Sequence, residues 1–328
     1  MRSHVSTGLL AAALLLSPLA ARAQDAMSYP VKPVRVIVAL PPGGATDLQA
    51  RMFAAKLSEV FGRQFIVENR PGAGSIAGYT AAAMAPPDGY TLLAVGLTFT
   101  SGPALRKDHA IDPIRDYAPV SLVIKAPWLL TVHPSLPVKS VRDLIALARA
   151  KPDTLNFGGG ALGAGTHLLA EWFIQANNLK AEFIPYSSGG TGQAIADVVA
   201  GRVDAAIVTI LTAKPYLPSN RLRALAVTTA QRSKVMPNLP TIAEQGVPGY
   251  DGFTFHGWLA PAGTPPAIVN RLSAELAKIA AAPDVAERIR DDGGEAAGMT
   301  PEQFREFIAA EVSRWNSIVR KSGLKLAP

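Results

Sequence analysis

The chain has 328 residues, is 48% hydrophobic, holds no cysteine and carries a formal net charge of +7. Its length predicts two domains or one large α/β unit with a sizeable core, and the missing cysteines exclude disulfides, Cys-ligated metals and a lipid anchor at a cleavage-site Cys. The Lys and Arg residues are scattered, without the basic stripe or aromatic–basic motif of a nucleic-acid binder, so the mild positive excess favours small anions instead.

At the N-terminus Arg2 and His4 precede an apolar run from Leu9 to Leu16, and Ala21-Arg22-Ala23 follows. This order predicts a secretory signal cleaved after Ala23, and the run is too short to span a bilayer. Setting residues 1–23 aside removes Arg2 and Arg22 and leaves +5. An exported, cysteine-free chain of this size fits a bacterial periplasmic protein.

The mature chain then alternates strands and helices. Val34 to Val38 predicts a strand that enters Leu40-Pro41-Pro42-Gly43-Gly44-Ala45-Thr46-Asp47. Leu48, Met52, Phe53, Leu57, Val60 and Phe61 recur at helical spacing, and Thr46 stands three residues before Gln49, as in a capping box. Strand, glycine loop and helix start together either form a bare tight turn or cradle an anion on backbone N–H groups. Gly62 stops the helix. Phe65-Ile66-Val67 and Thr91 to Val95 are further strands, with a small-residue helix near Ile76 to Ala85 between them.

Val120 to Ile124 and Trp128 to Val132 are extended runs, and Pro127 argues against one unbroken strand. Val141 to Ala150 is an amphipathic helix capped by Ser140. A short strand, Leu155 to Phe157, leads to a second glycine loop ending Gly163-Ala164-Gly165-Thr166-His167. A helix carrying Leu168, Leu169, Trp172 and Phe173 follows. Phe183-Ile184 precedes a third loop, Tyr186-Ser187-Ser188-Gly189-Gly190-Thr191-Gly192, then a helix to Ala200 and a strand from Ala205 to Val208. Leu222 to Val227 is a strong strand, and Phe253 to Leu259 is apolar and aromatic. The tail holds helices at Pro265–Ala281, Asp284–Asp291 and Pro301–Ser322, with Gly323 as the last stop. The alternation points to a mostly parallel sheet. Strand, glycine loop and helix recur in two separate blocks without a sequence repeat. If the blocks face each other, their loops line a crevice at the carboxyl ends of strands.

Catalytic chemistry has no foothold in this pattern. The five histidines do not pair at metal-ligand spacing, and neither a phosphate loop nor G-x-S-x-G occurs. Gly72 to Gly78 is a loosened, isolated glycine pattern and a weak dinucleotide signal. His167 either points into the crevice or is a first-turn residue satisfied by loop backbone. Trp172 reads as core, Tyr186 as core or site, and Arg70 and Lys214 as surface charges within reach of an anion.

Several motifs together resemble one family. They are Gly43-Gly44-Ala45-Thr46-Asp47, Glu68-Asn69-Arg70-Pro71-Gly72-Ala73-Gly74, Pro87-Asp88-Gly89-Tyr90-Thr91-Leu92-Leu93 and Leu136-Pro137-Val138-Lys139-Ser140. Gly201-Arg202-Val203-Asp204, Leu222-Arg223-Ala224-Leu225-Ala226-Val227-Thr228, Pro240-Thr241-Ile242-Ala243-Glu244 and Leu259-Ala260-Pro261-Ala262-Gly263-Thr264-Pro265 complete the set. In order and spacing, from about Tyr29 to Gly323, they resemble the Bug family of periplasmic solute-binding proteins, receptors of tripartite tricarboxylate transporters.

The resemblance implies an α/β, two-lobe, class II Venus-flytrap fold with a mostly parallel sheet in each lobe and a hinge. Lobe I would be 24–123 with 229–328, and lobe II 124–228. It implies a monomer that binds a small organic carboxylate, delivers it to integral-membrane transporter subunits, uses no cofactor or metal and performs no reaction. The grip on the carboxylate maps to Pro41, Pro42, Gly43, Gly44, Ala45, Thr46 and Asp47. Ligand choice maps to Gly163, Ala164, Gly165, Thr166 and His167, to Tyr186, Ser187, Ser188, Gly189, Gly190 and Thr191, and to Thr209. A ligand-sensing receptor and an exported hydrolase or isomerase are the alternatives. The chain departs from the family pattern where Ala39 and Leu40 replace Pro-Phe, Ala164 and Gly165 replace hydroxyl residues and Val208 replaces an Asp. The stretch from Tyr186 to Asp197 is also about two residues longer. Each change lowers polarity or adds room, so an aromatic or longer-chain carboxylate is expected.

Overall fold

The computed structural model describes residues 28–72, 75–106, 111–186 and 190–322. The expected signal segment, Ser187, Ser188, Gly189 and Gly323 lie outside them. In chain order the elements are β1 (Val34–Val38), α1 (Ala45–Phe61), β2 (Phe65–Asn69), α2 (Ile76–Ala83), β3 (Thr91–Val95), α3 (Leu97–Leu105) and β4 (Tyr117–Val132). There follow α4 (Val141–Ala150), β5 (Asn156–Gly159), α5 (Gly165–Ala176), β6 (Glu182–Pro185), α6 (Gly190–Val199), β7 (Ala205–Thr209), α7 (Ile210–Ala213) and β8 (Arg223–Val227). The chain closes with β9 (Phe253–Pro261), α8 (Pro266–Ala281), α9 (Pro283–Asp291), β10 (Glu295–Ala296) and α10 (Pro301–Ser322).

The strands form one mixed sheet in the order β2-β1-β3-β9-β4-β7-β5-β6, with β8 and β10 also bonded to β4. Both flanks are parallel: β1 with β2 and β3, and β5 with β6 and β7. The centre is antiparallel, where β9 meets β3 and β4, and β4 meets β7 and β8. The α/β class is thus as the alternating pattern implies, and β4 and β9 are the strands that tie the flanks together.

β4 overturns the expectation of a break at Pro127. It runs unbroken for 16 residues. Pro127 is the last residue of β4 registered with β9, opposite Phe253, and Trp128 is the first registered with β7, opposite Thr209. The missing proline N–H therefore falls where the strand changes partners, a place that tolerates it. Thr228 secures the change. Its buried hydroxyl accepts from Trp128 N (2.9 Å) and donates to Gly252 O (2.6 Å), while its own N–H donates to Trp128 O (3.0 Å). The partner change thus comes a few residues after the boundary expected between 123 and 124.

Two layers of helices cover the sheet. On one face α2, α3, α5 and α10 enclose a core that runs under both flanks, with Phe99, Phe173, Phe255, Phe304 and Trp315 fully buried. On the other face α1, α8 and α9 cover one flank and α6 and α7 the other, as two separate cores. α10 packs on both α3 and α5, and Trp315 and Tyr250 sandwich Trp172, whose ring stacks on Tyr250 at 4.3 Å. α3 was not foreseen. Its sequence, with Gly102 and Pro103 near its end, lacks helical punctuation, and burial of Leu97, Phe99 and Thr100 decides it. On α1 the buried face is Thr46, Asp47, Ala50, Phe53, Ala54 and Leu57, whereas Leu48 and Val60 are half-exposed. The apolar spacing was right for a helix and wrong by part of a turn for its face.

Thr228→Val keeps the volume but strips the hydroxyl from two buried backbone groups, Trp128 N–H and Gly252 C=O. Each unpaired group costs about 1–3 kcal/mol, so the urea midpoint should drop by a matching amount, and Thr228→Ser should recover most of it.

Candidate functional site

The first loop is built by a side chain reaching backwards. Pro41 and Pro42 stiffen the exit from β1, Gly43 takes a φ of +84° open only to glycine, and Gly44 is the extended N-cap of α1. No side chain caps that end from outside. Instead Asp47, in the first turn, accepts from Gly43 N at 2.9 Å. Asn69 and Arg51 also donate to the Asp47 carboxylate, at 2.9 and 3.1 Å. Burial opposes its ionisation, yet these donors prevail and hold the carboxyl below its usual range. The expected Thr46–Gln49 capping box does not form, because the helix starts two residues earlier on Gly44 and Thr46 lies buried inside its first turn.

The second loop repeats the device. Gly163 has a φ of +81°, Ala164 is an uncapped extended N-cap, and Gly163 N donates to His167 Nδ1 at 2.9 Å. Thr166 Oγ1 accepts from Gly160 N at 2.8 Å. Asp47 and His167 thus hold equivalent posts. His167 is buried against Phe183, with ring centroids 4.5 Å apart, and burial lowers it to about 4. It is neutral at ordinary pH, its Nδ1 lone pair spent on loop backbone.

In both helices the first-turn N–H groups have no carbonyl four residues back and no capping side chain. A third uncapped end lies between them. Gly96 is the N-cap of α3, again without a side-chain bond. A Cβ at Gly96 would sit 3.1 Å from Thr46 Oγ1, and one at Gly165 would sit 3.0 Å from Leu97 Cδ2 and 2.6 Å from the Trp128 ring. The close approaches link the start of α1 to that of α3, and that of α3 to that of α5, which lies against Trp128. α4 is capped by Ser140 and α7 by Thr209, whereas α2, α8 and α9 also start without a side-chain cap. Sequence reading missed Gly96, Leu97 and Trp128. The available signal was Gly96 directly after a strand.

The remaining expected residues are placed as follows. Tyr186 is buried and donates to Asp197 Oδ2 at 2.6 Å; burial, then Asp197, pushes its phenol up to about 12. Gly190 and Thr191 open α6. Thr209 Oγ1 accepts from Thr212 N at 3.1 Å. Arg70 pairs with Glu68, and Lys214 lies 3.6 Å from Asp291. Among the described residues no cluster of three or more His, Asp and Glu could hold a metal, and no helix is long and apolar enough to cross a membrane.

A groove of about 530 Å³ opens beside the first loop. Of the expected residues it takes in Ala45 and Thr209; its wall also includes Leu48, Gln49, Met52 and Lys56 of α1, Ile124, Ala126 and Pro127 of β4, Leu211 of α7, His256 of β9, and Asp284, Val285, Arg288 and Ile289 of α9. His256 is buried, its Nδ1 has no partner among the described residues, and burial lowers it to about 4.

Known proteins resemble this chain over most of its length. The family described as "Tripartite tricarboxylate transporter family receptor" matches residues 49–324. BugT of Bordetella pertussis is 36% identical over 307 residues, covering 92% of this chain and 93% of BugT. An R. palustris protein solved with adipate is 35% identical, with a TM-score of 0.81 over 90% of this chain and 99% of its own. MatC from Rhodopseudomonas palustris with bound malate is 30% identical, with a TM-score of 0.78 over 89% and 100%.

His167 and His256 set an acid limit. An unfolded histidine takes its proton near 6.5, while these two hold theirs off until about 4. The unfolded state binds more protons between those values, so stability falls as pH drops from about 6.5 to 4. Asp47 adds a stabilisation that is present above its usual 3.8 and lost at still lower pH. Melting temperature against pH should show the first decline, and His167→Asn should flatten it.

Proposed function

The chain belongs to the tripartite tricarboxylate transporter receptor family, and from that membership we propose that it is an exported, periplasmic receptor for a small organic carboxylate. The observation that carries the reading is the repeated loop. Asp47 and His167 fold back to order their own loops, so neither caps the helix end beyond Gly44 or Ala164. The N–H groups there, with the positive end of each helix dipole, suit a carboxylate. Adipate and malate, bound by the two similar R. palustris proteins, are both carboxylates.

In this reading residues 1–23 direct export. The chain works as a monomer of two lobes, 24–123 with 229–328 and 124–228, flexing where β4 and β9 cross. Pro41 to Asp47 grip the carboxylate. Gly163 to His167, Tyr186 to Thr191 and Thr209 set what fits beside it. The receptor hands its ligand unchanged to integral-membrane transporter subunits. With Ala39, Leu40, Ala164, Gly165 and Val208 in place of more polar or bulkier residues, the ligand is an aromatic or longer-chain acid.

A thermal-shift screen of the mature protein against a carboxylate library tests this. A true ligand at about 100 times its Kd adds about 2.7 kcal/mol of stability, a clear rise in melting temperature. Gly43→Val forces a branched residue into a left-handed turn and should abolish that rise, and the acid should be recovered chemically unchanged. Tight aspartate or citrate binding with none for aromatic acids would overturn the ligand class, and a hit indifferent to Gly43→Val would overturn the grip.

A further inference from the structure

The groove beside the first loop was not among the segments expected to select the ligand. It begins at Ala45, whose N–H belongs to the uncapped turn, and runs along α1 past Leu48 and Met52 to Ile289 of α9. Leu48 and Leu211, which face it from α1 and α7, are 52% and 42% exposed. Two large apolar side chains turned towards one concave surface make a surface that gains by being covered.

The charges at the groove's rim are matched among themselves. Lys56 is 2.9 Å from Asp284, and Arg288 is 3.4 Å from Asp292. Asp292 also accepts from Gln49 Nε2 at 3.4 Å. Each cation of the wall already has an acid beside it, and the buried His256 ring has no acid beside it among the described residues. The volume of about 530 Å³ is ample for a chain or ring several carbons long.

Resting on the carboxylate reading above, we propose that this groove is the tail subsite: the ligand is a monocarboxylate whose uncharged, apolar tail lies between α1 and α9, over Leu48, Met52 and Ile289. The selecting surface is then chiefly the α1–α9 wall, and among the second-flank segments expected to choose the ligand only Thr209 shares it. A second terminal carboxylate is disfavoured, because it would be desolvated against apolar side chains and face Asp284 and Asp292.

Calorimetric titration of the mature protein with propanoate, hexanoate, octanoate and adipate tests the subsite. Affinity should rise about fourfold per added methylene in the monocarboxylate series, the equivalent of about 0.8 kcal/mol per buried CH₂, and hexanoate should bind more tightly than adipate. Leu48→Glu and Leu211→Glu are at exposed positions and should leave the fold intact by circular dichroism. Each should weaken octanoate tenfold or more while changing propanoate less than twofold. Adipate binding more tightly than hexanoate, with both variants neutral, would overturn the tail subsite and leave the carboxylate reading standing. Binding of no acid in the series or in the wider library would overturn both.

Discussion

Everything in this molecule hangs on one strand passing through a place where its hydrogen bonds change hands. β4 must satisfy β9 on one side of Pro127 and β7 on the other, and a buried backbone tolerates no unpaired group along the way. Proline at the changeover has no N–H that needs a partner there. The Thr228 hydroxyl then covers the next donor and a carbonyl of the returning chain at once. With that junction closed, the parallel flanks are held so that the helix starts after β1, β3 and β5 approach one another, the last against Trp128. The carboxyl ends of parallel strands are where α/β proteins place ligands, and here three uncapped helix starts meet there.

The two glycine loops show how little side-chain chemistry such a site needs. Gly43-Gly44-Ala45-Thr46-Asp47 and Gly163-Ala164-Gly165-Thr166-His167 share a left-handed glycine, an uncapped N-cap and a first-turn acceptor that returns to the glycine N–H. An anionic carboxylate and a neutral imidazole fill the same post, because the post asks only for a lone pair. Charge differs, however: Asp47 is offset by Arg51, while His167 is kept neutral by burial. Neither loop offers a charged side chain to a ligand. Recognition through backbone dipoles suits a receptor that must release what it binds, since no strong ion pair has to be broken.

Against this backbone site the α1–α9 groove is different in kind. Its wall carries Leu48, Met52, Val285 and Ile289 beside the polar Gln49 and His256, and its ions are paired across its rim. They orient the rim more than they hold the fold. The proposed subsites divide head and tail recognition between a surface of N–H groups and one of aliphatic side chains.

Local rules were enough to read much of this from the chain. Glycine after a β-branched run marked the loops at Pro41 to Asp47 and Gly163 to His167, Ser140 marked the start of α4, and Gly62 the end of α1, because turns and caps are set by residues a few positions apart. The family and its α/β class were legible in the order of short motifs. What stayed hidden depends on neighbours distant in sequence. The continuity of β4 through Pro127 rests on Thr228, a hundred positions away, α3 forms because its side chains are buried and not from its propensity, and Leu48 faces solvent because the sheet claims the adjacent face of α1. Likewise the sequence offered His167 as either ligand contact or loop support, and only the fold showed the loop support, by placing Gly163 N–H against Nδ1 and Phe183 against the ring. The chain alone thus determined where the glycine loops turn, where α4 begins and where α1 ends; which faces are buried, which strands are shared and where a groove opens came from packing, whose energies are summed over contacts between residues far apart in sequence.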